Sequence, residues 1–135
     1  MIRSVWIAVM IGGVVIFSIS SCATVPTEPL ASGELRLLRI HAEKGDIRVN
    51  LPFVVNINFE AYGEPEIRTA CFYFIGDGPY CSKVMDVSYG SPGTIKAHFW
   101  TKNSGSHTLE GYVFYVRDGK NQPTNVVSCH IRVMP

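Results

Sequence analysis

Beyond Cys22 near the N-terminus, the groups in this chain with the intrinsic reactivity for redox, metal or acid–base chemistry are few: Cys71, Cys81 and Cys129, the histidines His41, His98, His107 and His130, and scattered acids. Cys71 and Cys81 flank a turn-forming stretch centred on Gly76-Asp77. In a regular hairpin that spacing sets them opposite one another on one face, with Cβ atoms about 4.5 to 5.5 Å apart, which local twist closes to disulfide range. Their separation is not that of a Cys-x-x-Cys pair, and nothing beside them lowers a thiol pKa, so the expected bridge is a structural staple rather than a redox centre. Cys129 keeps step with Val127, Ile131 and Val133 and is expected to be a buried, inert thiol. None of the histidines stands at zinc-ligand spacing from another. Cys129 and His130 are neighbours on a predicted strand, point to opposite faces and cannot grip one ion together. Gly76-x-Gly78 fails as a dinucleotide fingerprint because Cys81 stands where the third glycine would be and no helix follows. Asp118 and Asn121 are explained by a hairpin turn without a calcium ion. No Gly-x-Ser-x-Gly, His-Glu-x-x-His or Ser-x-x-Lys occurs. The reading is therefore a non-enzyme with no metal and no cofactor.

The body that must position these residues is small. The chain has 135 residues, enough for one domain, with 17% charged and 47% hydrophobic residues, a composition that supports a real core and argues against disorder. Twelve basic and eleven acidic side chains nearly cancel, and once Arg3 is set aside with the N-terminal segment the balance is complete. A neutral body offers no electrostatic footprint for nucleic acid or for an anionic membrane surface.

From Glu34 onward, apolar residues recur with a period near two between turn signals. The clearest run is Ile47, Val49, Leu51, Phe53, Val55, Ile57 and Phe59, interleaved with Asp46, Arg48, Asn50, Pro52, Asn56, Asn58 and Glu60. One face in and one face out is the mark of an antiparallel sheet covered on one side. Turns at 44–46, 63–65, 76–79, 90–93, 103–105 and 118–121 separate strands expected near 35–42, 53–61, 67–75, 81–89, 94–101, 108–117 and 125–133, with 47–50 as a short edge piece before Pro52. About seven short strands and no helical period predict an all-β fold, an antiparallel β-sandwich over 34–135.

The N-terminus has the parts of an export signal: Arg3, an apolar run from Val5 to Ile19 too short to span a bilayer, then small residues. Ile19-Ser20-Ser21-Cys22 resembles the lipobox of bacterial lipoproteins. The resemblance implies a signal peptide over 1–21, cleavage before Cys22, lipidation of Cys22 and attachment of the protein to a membrane. Ala23 after the cysteine implies onward transport to the outer membrane, so the expected location is the cell envelope, where disulfides persist. The stretch 22–33, rich in Pro, Thr, Ser, Ala and Gly, reads as a flexible tether.

Residues 106–109, 112–121 and 126–133 resemble the final hairpin of bacterial immunoglobulin-like domains, a tyrosine-containing strand, an Asp-Gly turn and a Val-rich closing strand. By that resemblance Tyr112, Phe114 and Val116 face the core, which leaves Val113 and Tyr115 outward. Two strands, 70–75 and 112–116, are apolar or aromatic at every position, so whichever parity is inward, the solvent side of their sheet carries an aromatic stripe. Inward Phe72 and Phe74 would expose Tyr73, while Met85, Val87 and Tyr89 on the next strand argue for the opposite parity. The expected partner surface is Tyr73, Val113 and Tyr115, and the expected partner an envelope protein or a second copy of the chain. The function expected is a lipid-anchored binding or structural module; an accessory subunit or assembly factor of a larger envelope complex is the alternative.

Overall fold

The computed structural model describes residues 28–43 and 46–135, and every regular element in them is a β-strand. The expected signal peptide at 1–21, the lipidated Cys22 and the tether up to residue 27 lie outside the described residues. Two sheets stack face to face. The first has the order β1 (Leu35–Ala42), β3 (Phe53–Ala61), β7 (Gly93–Phe99), β6 (Asp86–Ser88). The second runs β2 (Ile47–Arg48), β10 (Val127–Met134), β8 (Gly105–Arg117), β4 (Ile67–Phe74), β5 (Tyr80–Lys83), with β9 (Lys120–Pro123) also paired to β8. All pairings are antiparallel except that of β2 with β10. The fold is thus the predicted β-sandwich, and all seven expected strands are present in it.

Ten strands arise from those seven for identifiable reasons. The run expected as one strand over 81–89 bends at Met85 and changes sheets there. The N–H of Val84 still donates to the Arg68 carbonyl beside β4, whereas that of Met85 already donates to Lys96 on β7. The closing strand expected over 125–133 is β10; β9 at 120–123 is an additional strand begun inside the expected turn, and β8 is longer than expected because it serves both halves of this returning segment, β9 pairing with its residues 114–117 and β10 with 105–111. Between the halves, Thr124 bonds Val113 twice, its N–H donating to the Val113 carbonyl and its Oγ1 accepting from the Val113 N–H. Asn125 then reaches across to the other sheet, where its side-chain amide accepts from the N–H and donates to the C=O of Leu37. One side chain therefore covers a pair of edge groups on β1 that would otherwise be open to another strand. The turn from β8 to β9 has Asp118 at φ 53° and Gly119 at φ 73°. Two successive positive values are those of a type I′ turn, the twist-compatible hairpin expected from Asp-Gly.

The core is apolar and forms between the inner faces: Leu35, Leu37 and Ile40 from β1, Val55, Ile57 and Phe59 from β3, Ala70, Phe72 and Phe74 from β4, and Leu109, Val113 and Tyr115 from β8. Two glycines make room for core side chains. A Cβ on Gly93 would stand 2.3 Å from the Phe59 ring, and one on Gly111 would stand 2.8 Å from Phe72 and 2.9 Å from Ile40. Cys129 sits on the inner face of β10, half-buried against this core, in the register expected of it and apart from the disulfide.

Candidate functional site

Cys71 on β4 and Cys81 on β5 pair in register and form a disulfide, with Cα atoms 4.1 Å apart. The bridge lies on the outer side of the second sheet, where Cys71 is in register with Tyr112 on β8. It ties β5, a four-residue edge strand with little burial of its own, to the centre of the sheet.

The parity of β8 is the reverse of the expectation. Val113 is fully buried and Tyr115 is 3% exposed, so neither belongs to a partner surface. Tyr112, Phe114 and Val116, expected in the core, are the half-buried residues of the outer face. The cause is Gly111. Gly111 has to face inward because Phe72 and Ile40 occupy the space its side chain would need, and alternation from Gly111 then turns Val113 and Tyr115 inward. On β4, Phe72 and Phe74 point into the core and Tyr73 is left on the outer face with Tyr112 and Phe114, where it was one of the two readings.

The outer face of the second sheet thus carries an aromatic stripe, as both apolar strands require, with Tyr112 and Phe114 in place of Val113 and Tyr115 beside the expected Tyr73. Tyr73 and Tyr112 meet edge to face with ring centroids 6.4 Å apart, and Tyr112 and Phe114 at 5.6 Å. Beside them Pro123, Thr124 and Val126 complete a shallow groove of about 370 Å³ with Tyr112 and Phe114. The Tyr73 phenol is hydrogen-bonded to Glu110 on the same face, and that bond, with burial and the carboxylate charge, pushes its pKa up to about 12. The face is a hydrophobic surface with a polar handle.

No family model matches the chain, and no curated protein matches it either.

A second concavity of about 350 Å³ opens at one end of the sandwich, between the β4–β5 turn and the β7–β8 connection. Phe74 and Phe99 are its buried members, and Tyr73, Tyr80 and Trp100 bring further rings to it. Asp77, Thr101, Lys102 and Asn103 supply polar groups. Tyr73 belongs both to this cavity and to the stripe, so the two are continuous. The sequence reading missed it, although a signal was present: Phe99-Trp100 ends a strand directly before the turn residues Asn103-Ser104-Gly105.

The histidines lie apart from one another. His107 stacks on Phe74 with ring centroids 4.1 Å apart, and its Nε2 lies 3.2 Å and 3.0 Å from the carbonyls of Asn103 and Ser104. Nδ1 of His130 meets the Thr108 hydroxyl at 3.1 Å. The pKa of His41 is lowered, by burial first and then by the charge of Arg39. Among the described residues no three of His, Cys, Asp and Glu come together as a metal site.

Proposed function

We propose that the protein is a lipid-anchored cell-envelope protein whose sandwich is an immunoglobulin-like binding module, with the outer face of the second sheet as its contact surface. The observation that carries this reading is the stripe Tyr73, Tyr112 and Phe114 with its adjoining groove, a row of rings on a face that a monomer would furnish with polar groups. The partner is an envelope protein or a second copy of the chain. The strand orders β1-β3-β7-β6 and β10-β8-β4-β5 support the immunoglobulin-like assignment, since they follow the A-B-E-D and G-F-C-C′ arrangement of that fold. The lipobox-like Ile19-Ser20-Ser21-Cys22 supports the anchor.

The two parts of the proposal fit one another in space. The segment expected as tether is held to the domain from Glu28 onward, where Arg36 bonds the Glu28 carbonyl and Arg117 Nε donates to Ser32 at 3.2 Å. The six residues from Cys22 to Glu28 reach at most about 20 Å. A lipid on Cys22 therefore keeps the start of β1 and the β8–β9 hairpin close to the membrane. It directs the opposite end, with the cavity, away from it, and leaves the aromatic face turned sideways toward neighbouring proteins.

The test is made in cells producing the full chain. A photo-crosslinking residue at position 114 should trap a discrete envelope partner or a dimer, and the same residue at position 96, on the polar face of the first sheet, should trap neither. Cys22→Ser should move the protein from the membrane to the soluble fraction. Membrane retention of Cys22→Ser, or equal crosslinking from both faces, overturns the corresponding half of the proposal.

A further inference from the structure

Beyond the contact face, we infer that the end cavity is a binding site for a neutral saccharide. The inference starts from the kinds of surface the cavity brings together. Tyr80 and Trp100 are each 40% exposed, and their ring centroids lie 6.3 Å apart at an interplanar angle of 73°. Two large rings left open to water in a concavity are apolar surface awaiting a ligand. Between and beside them stand one acid, Asp77, and one base, Lys102, with Asn103 and Thr101. One charge of each sign gives no net attraction for an anion or a cation, yet leaves donors and acceptors for hydroxyl and amide groups. A pyranose ring combines these requirements: a face of C–H groups to lie against an aromatic ring, and an equatorial rim of hydroxyls. The shallow groove on the sheet face differs, because Thr124 contributes the only side-chain polar group beside its apolar residues other than the Tyr112 phenol.

Both walls are fixed before any ligand arrives. On one side, the N–H of Asn50 donates to the Thr101 carbonyl at 2.7 Å and that of Asn103 to Thr101 Oγ1 at 3.1 Å. His107, stacked on Phe74, holds the carbonyls of Asn103 and Ser104. On the other side, Tyr80 is in register with Phe72 immediately beside the Cys71–Cys81 pair, so the disulfide pins the strand that carries it. Phe99 touches Tyr80 at 6.1 Å and Phe74 at 5.5 Å and joins the two walls through the core. A site whose walls are already ordered loses little entropy on binding.

The chain has two tryptophans, Trp6 and Trp100. In the full-length protein carrying Trp6→Phe, held in a detergent without a sugar headgroup, Trp100 is the sole indole and reports directly on the cavity. Maltotetraose, cellotetraose and chitotetraose are titrated by fluorescence and by calorimetry. The expected result is a saturable change with at least one of them, a loss of affinity of about tenfold or more in Trp100→Ala and in Tyr80→Ala by calorimetry, and no change in Lys96→Met, on the polar face of the first sheet away from the cavity. Binding that survives Trp100→Ala overturns the inference. So does the absence of saturable signal from all three sugars up to about 10 mM, or occupancy of the cavity by an apolar dye alone. Because the crosslinking test reads position 114 and this one reads position 100, either reading can fail without the other.

Discussion

The outer faces of the two sheets solve the same problem in opposite ways. On the first sheet, Asn56, Asn58, Thr94, Lys96 and Glu43 bond to one another: Asn58 Nδ2 to Thr94 Oγ1 at 3.5 Å, Lys96 Nζ and Asn56 Nδ2 to Glu43 at 3.1 and 3.4 Å. At the edge of that face Arg36, 5% exposed, is surrounded by Glu28, Glu34 and Glu60 at 3.5 to 3.9 Å. Polar groups that satisfy one another across strands need no further partner. The second sheet has rings at the equivalent places, with Glu110 tied to the Tyr73 phenol. A sandwich needs only its inner faces to be apolar. The aromatic outer face is therefore not demanded by the fold, and that excess is what points to a function.

Substitutions on the two sides of β8 should differ most. Val113→Ser with Tyr115→Ser removes two inner-face side chains and buries hydroxyls in their place, and should destabilise the domain by more than about 4 kcal/mol. Tyr112→Ser with Phe114→Ser touches only the outer face and should cost about 1 kcal/mol while removing the contact at the stripe. Urea unfolding of both double variants checks this. Equal losses would mean that the outer rings are structural and that the two faces of β8 do not differ in kind.

That distinction is also where the sequence stopped being legible. On β3 the odd positions Val55, Ile57 and Phe59 are buried and the alternate Asn58 and Glu60 are not, because polar residues mark the outward side. The same odd series begins at Ile47, yet it crosses a change of sheet: β2 joins β10, β3 joins β1, and Leu51 between them is 56% exposed. On β8 the run Tyr112-Val113-Phe114-Tyr115-Val116 has no polar residue to mark a side, and the resemblance to a known hairpin pointed the wrong way. The marker that decides it is Gly111, whose inward position follows from Phe72 and Ile40, residues distant in sequence. The disulfide was legible because a hairpin turn is a local feature. The end cavity was not, because it joins two loops that only the stacking of sheets brings together.

On the polar face, Arg36→Met should cost about 2 kcal/mol. It removes a buried cation and leaves three carboxylates facing one another, and the exposure of Glu28 and Glu60 keeps the loss below that of a fully buried network. Lys96→Met, whose pair with Glu43 is half-exposed on both sides, should cost less than about 1 kcal/mol. Thermal melts at low and high salt test the pair, with Arg36→Met the less salt-dependent of the two. Because Arg36 also holds the Glu28 carbonyl, its replacement should open residues 28–33 to proteolysis as well. A face that tolerated Arg36→Met as easily as Lys96→Met would not be closed on itself in the sense drawn above.

The smallest effect concerns the polar bond that joins Tyr73 to Glu110 on the aromatic face. Tyr73 has its pKa raised from 10.0 to about 12, first by the hydrogen bond to Glu110, then by burial and by the Glu110 charge. A phenol is neutral when protonated, so a raised folded pKa means that between about pH 10 and 12 the folded chain keeps a proton the unfolded chain has given up. The stabilisation from this bond is fully present below about pH 10 and is lost as the pH climbs toward 12. Glu110→Gln removes the charge and weakens the acceptor, so Tyr73 should titrate closer to an ordinary tyrosine and the alkaline fall in melting temperature should become shallower. Tyr89 also has a raised pKa, through burial and then Glu64 and Glu66, but it lies apart from Glu110 and contributes equally to both proteins. The difference between them therefore isolates Tyr73. Spectrophotometric titration of the phenols with melts across the alkaline range reads it out, and superimposable curves would show that the bond to Glu110 does not hold the ring in place on the stripe.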